Sequence, residues 1–106
     1  MAKYLLKASY TTDGVKGVLK DGGSGRRAAV EQTVQGLGGS LESFYFAFGD
    51  TDAYVVVDLP DNATAAAISM VVNAAGGAQV TTVPLMTPEE ADEATKKSVE
   101  YRPPGG

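Results

Sequence analysis

Two carboxylates, Asp50 and Asp52, sit two residues apart in "FAFGDTDAYVVVDLP", Phe46 to Pro60, among strand-forming β-branched and aromatic residues. Three kinds of chemistry use such a pair. Aspartate favours turn tips, where its carboxylate accepts from nearby backbone amides. A desolvated aspartate at the rim of a cleft has a raised pKa and serves as a general base. A pair of carboxylates also ligates Mg²⁺ or Ca²⁺, but these two lack the further acidic ligands and the glycine-bearing loop of an EF-hand. The turn reading carries most weight: Gly49 makes the turn, Asp50 occupies its tip and Asp52 opens the next strand. The functional alternative puts Asp52 at the rim of a cleft between sheet and helices. No metal site is expected.

A second cluster is "KDGGSGRR", Lys20 to Arg27. Glycines expose backbone amides ahead of a helix, and Lys20, Arg26 and Arg27 add positive charge, which suits a phosphate or carboxylate. The spacing is not that of a P-loop. The plainer reading is a solvated loop. Tyr4, Tyr10, Tyr45 and Tyr54 form a third group, fit to line a pocket or to build an interface. Lys7 and Ser9 share a strand face and can point into the same cavity, with Asp58 or Glu42 as the acidic partner such a lysine needs.

Composition narrows the chemistry. The chain has 106 residues, 43% hydrophobic and 21% charged, with a net charge of −4. That is one globular domain. It is too acidic for a nucleic-acid binder, because phosphate neutralisation supplies most of that affinity. There is no cysteine and no histidine. Thiol nucleophiles, thiolate or imidazole metal sites and Ser-His-Asp triads are thereby excluded. Any catalysis uses Asp, Glu, Lys, Arg, Tyr, Ser or Thr, and no cofactor is expected. The apolar stretch of "MAKYLLKASY" is too short for a signal peptide, and nothing approaches a transmembrane length. A cytoplasmic protein without membrane partners is expected.

Periodicity supplies the elements. Lys3 to Thr11 alternates as a strand, with Tyr4, Leu6, Ala8 and Tyr10 on one face. "TTDGVKGVLKDGGSG" reads as a long glycine-punctuated connection, with a short helical turn at Val15–Leu19. Arg26 to Leu37 has helical spacing, with Ser24 as its N-cap and Gly38-Gly39 as its stop. Leu41–Phe48 and Ala53–Leu59 read as strands joined by a turn at Gly49-Asp50. A helix capped by Asp61 or Asn62 runs to about Ala75, with Ala65, Ile68, Val71 and Val72 as its apolar stripe. Gln79–Leu85 is the fourth strand. Thr87-Pro88-Glu89-Glu90 is a capping box that opens a last helix, running to about Val99. This is the split βαβ, ferredoxin-like order: a four-stranded antiparallel sheet with two helices on one face, plus a C-terminal helix. Residues 1–100 form the domain and 101–106 a disordered tail. That tail ends in Gly-Gly, as carrier proteins do, but the β-grasp order of elements is missing.

Two helices cover one face of such a sheet, yet both central strands are apolar on both faces. Phe44, Phe46 and Phe48 alternate with Leu41, Tyr45 and Ala47, and Val55 and Val57 with Tyr54 and Val56. An open apolar face marks an interface. The expectation is a homodimer with sheets packed face to face.

The order of elements, "TTDGVKGVLKD" with Gly14 and Lys20, the helix ending "LGG" and above all "FYFAFGDTDAYVVVDLPD" resemble the GYD domain, a family of small bacterial proteins. The resemblance covers Met1 to about Pro88. The family's namesake motif, a Gly followed by a Tyr-Asp pair at the turn between the second and third strands, falls on Gly49, Asp50, Thr51 and Asp52. Gly49 and Asp52 match, and Thr51 stands where tyrosine is usual. The resemblance implies a dimeric α+β barrel. It fixes no activity, because that superfamily holds cofactor-free isomerases, dehydratases and monooxygenases, heme-dependent enzymes and plain binding modules. The reading that follows is a homo-oligomeric module for a small anionic or aromatic molecule, with Lys20, Arg26, Arg27, Gly49, Asp50 and Tyr45 as ligand contacts. The alternatives are a cofactor-independent enzyme on a small carbonyl or phenolic metabolite, with Asp52 as base and Tyr10 or Lys7 as electrophile, and a purely self-assembling protein.

Overall fold

The computed structural model describes every residue from Met1 to Gly106. Strand β1 (Ala2–Tyr10) is followed by α1 (Thr12–Gly36), β2 (Ser40–Phe46), β3 (Ala53–Leu59), α2 (Asn62–Ala75), β4 (Ala78–Leu85) and α3 (Pro88–Thr95). The strands form one antiparallel sheet in the order β2-β3-β1-β4. With α1 and α2 packed on it, this is an α+β fold of ferredoxin-like topology.

The period-2 pattern of β1 does what it implies. Tyr4, Leu6 and Ala8 are buried, and Val55, Val57 and Leu59 join them from β3. Val34 of α1 and Ala65 and Ile68 of α2 close the core from above. Asp61 caps α2, and Gly76 ends it in the left-handed conformation at φ 81°. Thr87 and Glu90 make the reciprocal capping box of α3.

Four expectations need correction. The segment from Thr12 to Gly25 is helical, not a connection, and the cap is Thr11, whose hydroxyl accepts from the Gly14 amide at 3.2 Å, rather than Ser24. The only break is Gly22, at φ 76° and ψ 165°. Two of the glycines that read as loop punctuation are close-approach positions: a side chain on Gly14 would collide with the Gly77 carbonyl, and Gly23 lies under the Phe46 ring. Second, β2 carries an irregularity between Leu41 and Ser43 that places Leu41 opposite Val57 and Phe44 opposite Val55. A bulge breaks strict alternation, so Leu41 joins Phe44 against the core instead of opposing it. Third, Val71 is 69% exposed, and the buried stripe of α2 consists of Ala65 and Ile68 with Val72 beside them. Fourth, α3 stops at Thr95, short of Val99.

Candidate functional site

Helix α1 rides mainly over β2 and α2 over β4, and the two helices barely touch each other. The gap between them opens onto β1 and β3, where the side chains are small. Ala8 pairs with Ala53 across β1 and β3, and Tyr10 pairs with Ala78 across β1 and β4. Larger residues at these alanines would fill the space; instead a chamber of about 220 Å³ remains, partly open to solvent. Val30, Val34 and Ala29 of α1 wall one side, Ile68 and Val72 of α2 the other, and Phe44 closes the β2 end.

Three residues with polar groups reach this apolar space: Tyr10, Thr33 and Arg26. The Thr33 hydroxyl donates back to the Ala29 carbonyl at 3.1 Å, so it is committed to its own helix. Arg26 is the sole charged residue of the lining, with 34% of its side chain exposed. Its nearest acid is Asp21, Nη1 to Oδ2 at 3.8 Å, an ion pair too long for a hydrogen bond. The Gly22 break lies between these two residues in the chain.

The Gly49–Asp52 turn docks on the end of β1. Ala47 N–H donates to the Asp52 carbonyl, Asp52 N–H to the Ala8 carbonyl, both at 2.8 Å, and the Ser9 hydroxyl to the Asp50 carbonyl at 2.7 Å. The Asp52 carboxylate accepts the Tyr10 amide at 2.9 Å and so extends the β1–β3 ladder by one side-chain bond. One residue further on, Thr11 donates its amide to the Gly77 carbonyl at 3.1 Å and its hydroxyl to the Gly76 carbonyl at 2.9 Å. Asn73 ties α2 to the outer edge of β4, its Oδ1 accepting from the Val80 amide at 2.8 Å. Together these contacts hold Tyr10, Ala78 and Val80 at one end of the chamber.

The opposite face of the sheet carries no helix. Lys7 lies there between Tyr54 and Thr81, and Tyr45 beside Tyr54. Lys7 therefore points away from the chamber, and the acids proposed as its partners belong to Lys3: Lys3 Nζ donates to Glu42 at 2.9 Å and to Asp58 at 3.1 Å. The hydrogen bond to Glu42, then that to Asp58, raises the Lys3 pKa above its ordinary value.

The candidate residues thus fall in different places. Arg26 and Tyr10 reach the chamber; Asp52 stands just outside it, bound to the Tyr10 backbone. Tyr10 and Lys7 occupy opposite faces of β1. Gly49 and Asp50 are exposed in the turn and Lys20 is exposed on α1. Arg27 and Tyr45 share a separate open cleft of about 450 Å³ along β2, in which Glu31 and Glu42 outnumber the single arginine. None of the alanines Ala8, Ala29, Ala53 and Ala78, nor the walls Val30, Ile68 and Val72, was expected to line a ligand site. The available signal was small residues at positions where an inward-facing strand or helix normally places bulk. No group of three acidic side chains is placed to hold a metal ion, and no helix is long and apolar enough to cross a membrane.

The family model of the GYD domain matches residues 4–95. The chain belongs to the GYD domain family. The match runs from β1 through α3 and so spans the residues of the chamber, of the open sheet face and of the Gly49–Asp52 turn. No curated protein and no solved structure shows significant similarity to this chain.

Proposed function

We propose that this GYD-domain chain is a cytoplasmic, homodimeric small-molecule-binding module, with its ligand held between the two helices and the sheet. The observation that carries the reading is the chamber of about 220 Å³, walled by apolar side chains and touched by one cation. Ligand sites are concave, mostly apolar and supplied with few polar groups. An apolar cavity of about 150 Å³ is enough to take up benzene. Dimerisation rests on the uncovered sheet face, where Leu5, Val56 and Val83 form an apolar row across three strands. Proton-transfer catalysis has weaker support: no carboxylate lines the chamber, and the Asp52 carboxylate holds the Tyr10 amide.

Native mass spectrometry of the purified protein tests both halves of the reading. The expected result is a dimer that carries a fixed extra mass, released on activation and missing from a Val72→Trp variant whose indole fills the chamber. A monomer without any adduct defeats the reading.

A further inference from the structure

We infer that the chamber ligand is a compact monocarboxylate, an acid with an apolar body of about one aromatic ring and a short chain, with its carboxylate anchored by Arg26 at the chamber mouth. The inference rests on the binding reading above and adds the chemical class. Apart from the Tyr10 and Thr33 hydroxyls and Arg26, the lining from Val30 to Val72 and Ala53 offers contacts to carbon, so the body of the ligand is mostly apolar. The head group is set by Arg26. Arg26 lines the chamber with 34% of its side chain exposed, so a carboxylate that pairs with its guanidinium is neutralised by a bidentate pair without complete desolvation. The only acid near it, Asp21, is 3.8 Å away and leaves its donors free. A cationic head would meet Arg26 with like charge. A dianion such as phosphate would meet one positive charge beside one negative charge, and would find no use for the apolar walls. The space exceeds what a single benzene ring needs, which leaves room for a chain that reaches the mouth.

The arrangement also gives Asp21 a role. Placed across the Gly22 break from Arg26, its carboxylate competes with the ligand for the same guanidinium. Removing that carboxylate strengthens acid binding.

The test is an amide chemical-shift titration with 3-phenylpropionate, 3-phenylpropan-1-ol, 3-phenylpropylamine and inorganic phosphate. The acid is expected to bind about tenfold more tightly than the alcohol, as a charged hydrogen-bond pair implies, with shifts confined to chamber residues. The amine and phosphate alone are expected to bind more weakly than the alcohol. Arg26→Gln lowers acid affinity to that of the alcohol measured on the same variant, Arg26→Lys restores part of the preference, and Asp21→Asn tightens the acid severalfold. Val72→Trp or Ala29→Phe abolishes both. Equal affinity for acid and alcohol, or an acid preference that survives Arg26→Gln, overturns the assignment of the carboxylate, while loss of both in Val72→Trp still upholds the chamber as a binding site. If neither acid nor alcohol perturbs the chamber, the assignment and the binding reading fall together.

Discussion

The Asp61 carboxylate accepts the Thr64 amide at 2.8 Å and the Thr64 hydroxyl at 2.7 Å. The amide bond, then the hydroxyl bond, holds its pKa below the ordinary 3.8. A depressed carboxylate pKa contributes stability that is complete above the unfolded value and is lost as pH falls through the folded one. The urea midpoint of the protein is therefore expected to exceed that of Asp61→Ala at neutral pH, and the gap is expected to close as pH falls below 3.8. Asp61→Asn keeps an acceptor and loses this pH dependence. A gap that stays constant under acid would rule out any contribution from the ionised form of the cap. The same residue type at Asp52 shows how far a sequence can be read. That its carboxylate accepts a backbone amide was legible from Gly49 and the flanking strands, but the amide is not one of the turn as expected. Its partner, the Tyr10 amide, lies 42 residues away and depends on β1 pairing with β3, which no local spacing encodes.

Helix α1 is the element on which sequence and structure part. Glycine lowers helix propensity, so five of them between Gly14 and Gly25 read as a loop, yet packing against β2 and the Gly77 loop outweighs propensity. Arg26 gains its place from this continuity, because the helix carries it over the sheet instead of leaving it on a solvated loop. The glycines are not equivalent, and two substitutions separate them. Gly17 has helical geometry with nothing within 4 Å of an added Cβ, so Gly17→Ala is expected to stabilise the fold by about 0.5–1 kcal/mol through lower unfolded-chain entropy. Gly22 sits at φ 76° and ψ 165°, a conformation open essentially to glycine alone, so Gly22→Ala is expected to destabilise by about 1–3 kcal/mol. Chemical denaturation of both variants checks the pair. Equal effects at the two sites would mean that the break at Gly22 is not a fixed feature of α1. The four strands and α2 were legible because alternation, Asp61 and the Gly76 stop are local signals. The chamber was not, since it arises from alanines on β1, β3, β4 and α1 that meet only after the sheet and helices assemble.

At the scale of the whole molecule, the two faces of the sheet differ in cover and in lining. Its radius of gyration is 16.7 Å, against about 13 Å for a compact chain of this length. Helix α3, which buries no residue, contributes to that excess. The helix side of the sheet contains the chamber, lined by residues of a single chain. The other side presents the row Val56, Leu5 and Val83, flanked by Tyr54, Lys7 and Thr81 on one side and by Asp58, Lys3 and Leu85 on the other. A stable interface takes about 800 Å² from each partner, and the exposed face of a four-stranded sheet is of that order. Charge at the centre of an apolar interface has no compensation, so Val56→Asp is expected to halve the solution mass by light scattering, from twice the chain's 10.9 kDa to that value. Unfolding of the parent is expected to become more resistant to heat as protein concentration rises, and that of Val56→Asp to lose this dependence. Because the chamber is on the opposite side of the sheet from Val56, the monomeric variant is expected to keep its affinity for 3-phenylpropionate. A parent protein that is monomeric at every concentration would sink the packed-sheet dimer. A monomeric Val56→Asp that folds but no longer binds would show that the partner chain shapes the chamber through the sheet.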